Sequence, residues 1–179
     1  MPAAGRLDKQ AATMSSKGLR AGRTRMLGEL SGGCVCGAVR YRLAPGFRFR
    51  PHACHCRDCQ SRTGSAFSEH MLFARANLEI EGALDSGVFQ QPSGAVSTLW
   101  GCPLCKVRIF SENAARHGMA TLRCGTLDRS AEVVPAAHFW VRSKQPWVVL
   151  PAGVPALMEQ PQGDAEWLAL LGPLPPDAG

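Results

Sequence analysis

The cysteines constrain this chain more than any other feature. There are eight in 179 residues, and seven fall into three tight groups. The first is Cys34-Val35-Cys36, inside Gly32-Gly33-Cys34-Val35-Cys36-Gly37. The second is Cys54-His55-Cys56-Arg57-Asp58-Cys59, and the third is Cys102-Pro103-Leu104-Cys105. Cys124 stands alone. An even count invites a disulfide reading. However, no apolar stretch follows the basic residues near the N-terminus, which argues against a secretory signal. The expected compartment is therefore the reducing cytoplasm, where thiols stay free. Close thiol pairs in glycine-containing turns then point to metal, because glycine lets backbone amides turn towards thiolate sulfur.

Two such pairs brought together by folding make a closed tetrahedral zinc site. Cys34 and Cys36 with Cys102 and Cys105 fit that description. The middle trio, Cys54, Cys56 and Cys59, must then form a site of its own. Three protein ligands plus an open position is the pattern of a reactive zinc centre, unless a fourth side chain closes it. Candidates for closure are His52, His55, His70, His117, His138 and Cys124. The expectation is two Zn²⁺ per chain, with the trio as the catalytic group. His55 and Arg57 are expected at the surface of the turn, as spectators. Cys124 ends a strand-like run with no second cysteine beside it. It is expected to be a small buried apolar residue, not a ligand.

The ligand set limits the chemistry. Three thiolates leave a Zn²⁺ centre with net charge −1, a poorer activator of water than three neutral imidazoles. An electron-rich centre suits a bound thiolate nucleophile, hence sulfur transfer or exchange over hydrolysis. Zinc nucleobase deaminases pair P-C-x-x-C with an H-x-E or C-x-E segment. Here Gly101 precedes Cys102, and no such glutamate motif comes before it, so deamination is set aside. There is also no G-x-G-x-x-G and no P-loop, so no nucleotide cofactor is indicated.

The rest of the chain reads as one mainly-β domain. With 45% hydrophobic and 19% charged residues it can bury a core, and 19 Gly and 13 Pro favour short elements. Val39, Tyr41 and Leu43 alternate with arginines, then Pro45-Gly46 turns the chain into Phe47 and Phe49, which predicts a hairpin. Further strands are expected over 66–73, 78–81, 97–100, 107–110, 120–124 and 137–141. A helical turn is expected over 57–62, and a short helix capped by Asp164 running to Leu171. No apolar run is long enough to span a membrane. Residues 1–28 hold six basic residues against one acid, a net +5, whereas the remainder holds fourteen against thirteen. The net charge of +6 is therefore set by a segment that reads as a flexible basic extension. Nucleic acid is not an expected partner of the domain itself. The expected division is 1–28 extension, 29–160 zinc-binding domain, and 161–179 tail with the short helix.

The three motifs, in order, resemble the glutathione-dependent formaldehyde-activating enzyme family, also called the centromere protein V family. Gly32-Gly33-Cys34-Val35-Cys36-Gly37-Ala38-Val39-Arg40-Tyr41 is similar to its opening motif. Cys54-His55-Cys56-Arg57-Asp58-Cys59 with Thr63-Gly64-Ser65-Ala66-Phe67 is similar to its central one, and Cys102-Pro103-Leu104-Cys105 to its third. Gly125-Thr126-Leu127-Asp128 and His138-Phe139-Trp140-Val141 with Trp147 resemble its C-terminal half. Lys106 departs from the pattern, standing where the family usually has glycine. The resemblance implies a β-tent-like fold, two layers of antiparallel strands pinned by zinc. It implies structural zinc at Cys34, Cys36, Cys102 and Cys105, and a second zinc at Cys54, Cys56 and Cys59. It also implies carbon–sulfur lyase chemistry of the S-(hydroxymethyl)glutathione synthase type, with a glutathione-derived thiol adduct as the small-molecule partner. The alternative is a non-enzymatic zinc module in which both metals brace the fold and a surface binds a partner.

Overall fold

The computed structural model describes residues 28–90 and 94–173. All of the expected basic extension except Gly28, and the tail beyond Pro173, lie outside the described residues.

Among the described residues, ten strands form two sheets. The smaller contains β1 (Leu30–Gly33), β2 (Arg40–Leu43) and β5 (Leu78–Glu81), in the order β1-β2-β5. The larger contains β3 (His52–Cys54), β4 (Ser68–Ala74), β6 (Asp85–Gln90), β7 (Val96–Gly101), β8 (Arg108–Asn113), β9 (Met119–Arg123) and β10 (His138–Phe139). Its order is β10-β3-β4-β9-β8-β7-β6. Two α-helices accompany them among the described residues, α1 (Arg57–Thr63) and α2 (Asp164–Leu171). The chain is thus mainly β, as its patterning predicts, and in two sheets, as the family resemblance implies. Pairing is antiparallel except between β3 and β10, which run parallel.

Strand alternation divides the buried residues between two cores. Leu30, Tyr41, Leu43 and Leu78 of the small sheet pack with Met71, Phe73, Ile109, Phe110, Ala120 and Leu122 of the large one. Each fully buried side chain of this size contributes about 1.5–3 kcal/mol, so this contact layer holds the sheets together. Leu72 points the other way, into a second core with Phe49, Ala137, Phe139, Trp167 and Leu171. Trp167 and Leu171 are one helical turn apart, so α2 presents one face to that core. The Trp167 and Phe139 rings meet edge-to-face, with centroids 5.2 Å apart.

Two sequence expectations are corrected, and one strand is added. The hairpin across Pro45-Gly46 does not form. Strand β2 pairs with β1 and β5, while Arg48 bridges to Phe73 in the other sheet. The alternation misleads because Phe47 is exposed while Arg48 and Phe49 are both buried, so this stretch does not alternate in the structure. Asp164 is not the cap of α2. Gly163 occupies that position without a side-chain bond, and Asp164 begins the first turn. Finally, β6 was not expected. Its residues are exposed or half-buried throughout, so no alternation marks it.

Candidate metal centre

The first sulfur group is built from two backbone knuckles. Beyond β1, Cys34 N donates to Val39 O at 3.0 Å and Gly37 N to Cys34 O at 3.1 Å. That turn points Val39 N at Cys34 Sγ, 3.3 Å away. Gly32, just before it, has no room for a side chain: a Cβ would strike the Tyr41 hydroxyl and the Thr126 carbonyl. Beyond β7, Cys102 N donates to Val107 O at 2.9 Å and Lys106 N to Cys102 O at 3.0 Å. Leu104 N approaches Cys102 Sγ at 3.4 Å. Lys106 closes this knuckle with φ 59°, the left-handed conformation that glycine adopts without steric cost. Its ammonium lies 3.0 Å from Asp85 Oδ2.

The two knuckles converge. Cys36 Sγ lies 3.4 Å from Cys34 Sγ and 3.7 Å from Cys102 Sγ, and the four sulfurs of Cys34, Cys36, Cys102 and Cys105 all lie within 4.8 Å of one another. A tetrahedral ion with metal–sulfur bonds of about 2.3 Å needs sulfurs about 3.8 Å apart. The group has the number, spacing and chemistry to hold a metal ion.

The second group sits where β3 passes into α1. Cys54 ends β3, Cys56 is the cap residue of α1, and Cys59 lies in its first turn. Cys59 N points at Cys56 Sγ across 3.4 Å, so the sulfur takes the place of a capping oxygen. The three sulfurs lie within 4.8 Å of one another and could also hold a metal ion. Cys56 is held far below the usual thiol range because the Cys54 and Cys59 thiols point hydrogens at it, helped by the amides of Cys59 and Asp58. Cys54 is pushed up for the converse reason.

The sheet register places four polar side chains beside this trio. Cys54 pairs with Ser68, and His52 with His70, while His70 pairs with Arg123. Directly opposed residues share a face, so all stand opposite Met71 and Phe73, on the side of the second core. His70 Nε2 lies 3.9 Å from Cys59 Sγ, 3.1 Å from Ser68 Oγ and 2.8 Å from Arg123 Nη1. Burial, with the charge of Arg123 behind it, pushes the His70 pKa well below its ordinary value. Burial also lowers that of Arg123, while the neighbouring Cys59 sulfur opposes the effect.

Of the residues considered for closing the trio, His70 is the neighbour. His52 packs behind it, ring centroids 5.4 Å apart. His55 is fully buried, with Nε2 3.0 Å from His138 Nδ1. It is therefore not the surface spectator its position in the motif suggests, whereas Arg57 is exposed. His117 is exposed in the turn between β8 and β9. Cys124 is fully buried in the first core and belongs to neither sulfur group.

Sequence reasoning missed Arg123 and Gln60. Gln60 Nε2 donates to His55 O at 2.7 Å and Ser143 O at 2.8 Å, and its Oε1 accepts from Gln145 at 2.8 Å. It ties the sulfur-bearing turn to the segment that carries Trp147. Gln60, Gly64, Ala66, Gln145 and Trp147 line an open depression of about 480 Å³ beside α1. The cue for Arg123 was a charged residue ending an otherwise apolar strand.

Residues 29–143 match the family model described as glutathione-dependent formaldehyde-activating enzyme. The crystal structure of a Rhodobacter sphaeroides protein, a structural-genomics target, is similar at 18% identity and a TM-score of 0.44, covering 59% of this chain and 98% of that one. No curated protein matches the chain. No helix among the described residues is long and apolar enough to cross a membrane.

Proposed function

The chain belongs to the glutathione-dependent formaldehyde-activating enzyme family, and from that premise we propose that it is a zinc-dependent carbon–sulfur lyase acting on a thiol–aldehyde adduct of the S-(hydroxymethyl)glutathione type. The observation that carries the reading is the contrast between the two sulfur groups. The four sulfurs of Cys34, Cys36, Cys102 and Cys105 could complete a tetrahedral shell, whereas the three of Cys54, Cys56 and Cys59 would leave one position over. The first group would hold a structural zinc and the second a reactive one.

Zinc held by the trio supplies a Lewis-acid position at which a thiol is favoured as its thiolate. The reaction is reversible addition: the substrate sulfur bonds to the aldehyde carbon, the carbonyl π pair moves to oxygen, and the proton lost by the thiol ends on that oxygen. The chain's own part is placement. The amide of Cys59 and the start of α1 steady Cys56 Sγ, and Gln60 fixes the turn that carries the trio. Gln145 and the exposed Trp147 border the depression next to α1. They offer an amide and an indole face to a peptide-like thiol.

The test is exchange spectroscopy with ¹³C-formaldehyde and a panel of thiols, on zinc-loaded protein. Accelerated exchange between free aldehyde and a thiol adduct, lost in Cys56→Ser, supports the reading. No acceleration with any thiol would favour a module with two bracing metals.

A further inference from the structure

Arginine carries only donors. Its contact with His70, Arg123 Nη1 to His70 Nε2 at 2.8 Å, therefore makes Nε2 the acceptor and puts the imidazole proton on Nδ1. His70 so held is neutral, and its Nε2 faces Cys59 Sγ at 3.9 Å. Arg123 itself is 8% exposed, and among the described residues no carboxylate lies within ion-pair distance of it. A buried cation without a countercharge is costly. The negative charge on offer is that of the sulfur trio. Three thiolates around a divalent ion leave a net charge of −1, and a substrate that enters as a thiolate adds another.

We propose that Arg123 is a positioning residue of the Cys54–Cys56–Cys59 centre: its guanidinium fixes His70 as the Nδ1–H tautomer and supplies the positive charge against which these thiolates and an incoming substrate thiolate are held. The proposal rests on reading the trio as a metal centre. The register from β3 through β4 to β9 explains why these residues meet, since His52, His70 and Arg123 lie side by side across three strands. Ser68 Oγ, 3.1 Å from the same His70 nitrogen, belongs to the adjacent Cys54 row. Groups of this kind behind metal ligands typically cost 10- to 100-fold in metal affinity when removed.

The experiment measures zinc affinity at the trio by chelator competition in wild type, Arg123→Gln and Arg123→Lys, beside KM for the thiol. Arg123→Gln should weaken zinc at the trio about 10- to 100-fold and raise the thiol KM about tenfold, with the four-cysteine site still loaded. Arg123→Lys, which keeps the charge, should bring zinc affinity back to within about threefold. A residue that merely fills space would lower the melting temperature and leave both ratios alone. Zinc affinity in Arg123→Gln within about twofold of wild type, or equal losses in both variants, overturns the proposal. Should Arg123→Gln fail to fold by near-UV circular dichroism, Arg123→Lys decides: affinity within about threefold supports the proposal and a tenfold loss refutes it. Metal affinity is read without any aldehyde, so an inactive protein would sink the lyase reading and still leave this one tested.

Discussion

Cys36 Sγ lies 3.7 Å from Cys102 Sγ, although 66 residues separate them in the chain. One knuckle follows a strand of the small sheet and the other a strand of the large one, so a metal at this point is a cross-link between the layers. Structural zinc supplies about 10 kcal/mol or more of folding free energy in small domains, comparable to the whole stability of a typical one. Cys102→Ala and Cys34→Ala should therefore fail to give a cooperative thermal transition. Cys56→Ala should lose one zinc and keep most of the fold. Equal destabilisation in all three melts would contradict this division.

Cys124 makes the complementary case. It is fully buried among Leu122, Leu127 and Val133 in the first core, and burial pushes its thiol pKa up. Cys124→Ala should retain its full zinc content by elemental analysis and lose about 1 kcal/mol in urea unfolding, the cost of a small cavity. Loss of a zinc equivalent would overturn that assignment.

Much of this was legible in the sequence because ligand spacing is local. A knuckle places two sulfurs side by side wherever it sits in the fold, so the three groups could be read without knowing the topology. What brings groups together is not local. Arg123 is one polar residue at the end of β9, and its meaning appears only when β9 is set against β4 so that Arg123 opposes His70. The mistaken hairpin has the same origin. Pro45-Gly46 does turn the chain, but Ala44 N bonds to Asn77 O and the following residues leave for the other sheet. Local turn chemistry marked the turn and could not say which strand follows it. Arg48, buried with Nη2 donating to Gly28 O at 2.6 Å, defeats a hydrophobic pattern for the same reason.

Lys106 permits a stabilising substitution. Its φ of 59° costs a side-chain-bearing residue about 1 kcal/mol relative to glycine. Its ion pair with Asp85 is exposed on both sides and is worth a few tenths of a kcal/mol at most in such a setting. Lys106→Gly should therefore raise the stability of the zinc-loaded protein by about 0.5 kcal/mol, read from urea midpoints at constant slope. A clear loss of stability would mean that the Lys106 contact outweighs the strain.

His52 predicts acid sensitivity. Its ring is packed against Phe139, Trp167 and His70. Burial, aided by the charge of Arg116, pushes its pKa down to about 3. The unfolded chain takes up this proton near pH 6.5, and the folded protein does not. Stability is therefore complete above about pH 6.5 and falls with pH by about 1.4 kcal/mol per unit towards the folded pKa. Between pH 7.5 and 5.5 wild type should lose about 1.4 kcal/mol more than His52→Leu. Acid release of metal is common to both proteins and cancels in the difference. Parallel pH profiles for the two would show that His52 is protonated in the folded state.

The central claim is that the trio performs the chemistry and the four-cysteine site holds the fold. The most direct measurement withdraws zinc stepwise with a chelator from fully loaded protein, following bound zinc, ellipticity and ¹³C-formaldehyde–thiol exchange on the same sample. The account predicts that thiol–aldehyde exchange vanishes with the first zinc equivalent while ellipticity stays near its starting value. The second equivalent should leave only as the fold is lost. Exchange that survives removal of the first equivalent and disappears only with the fold would contradict it.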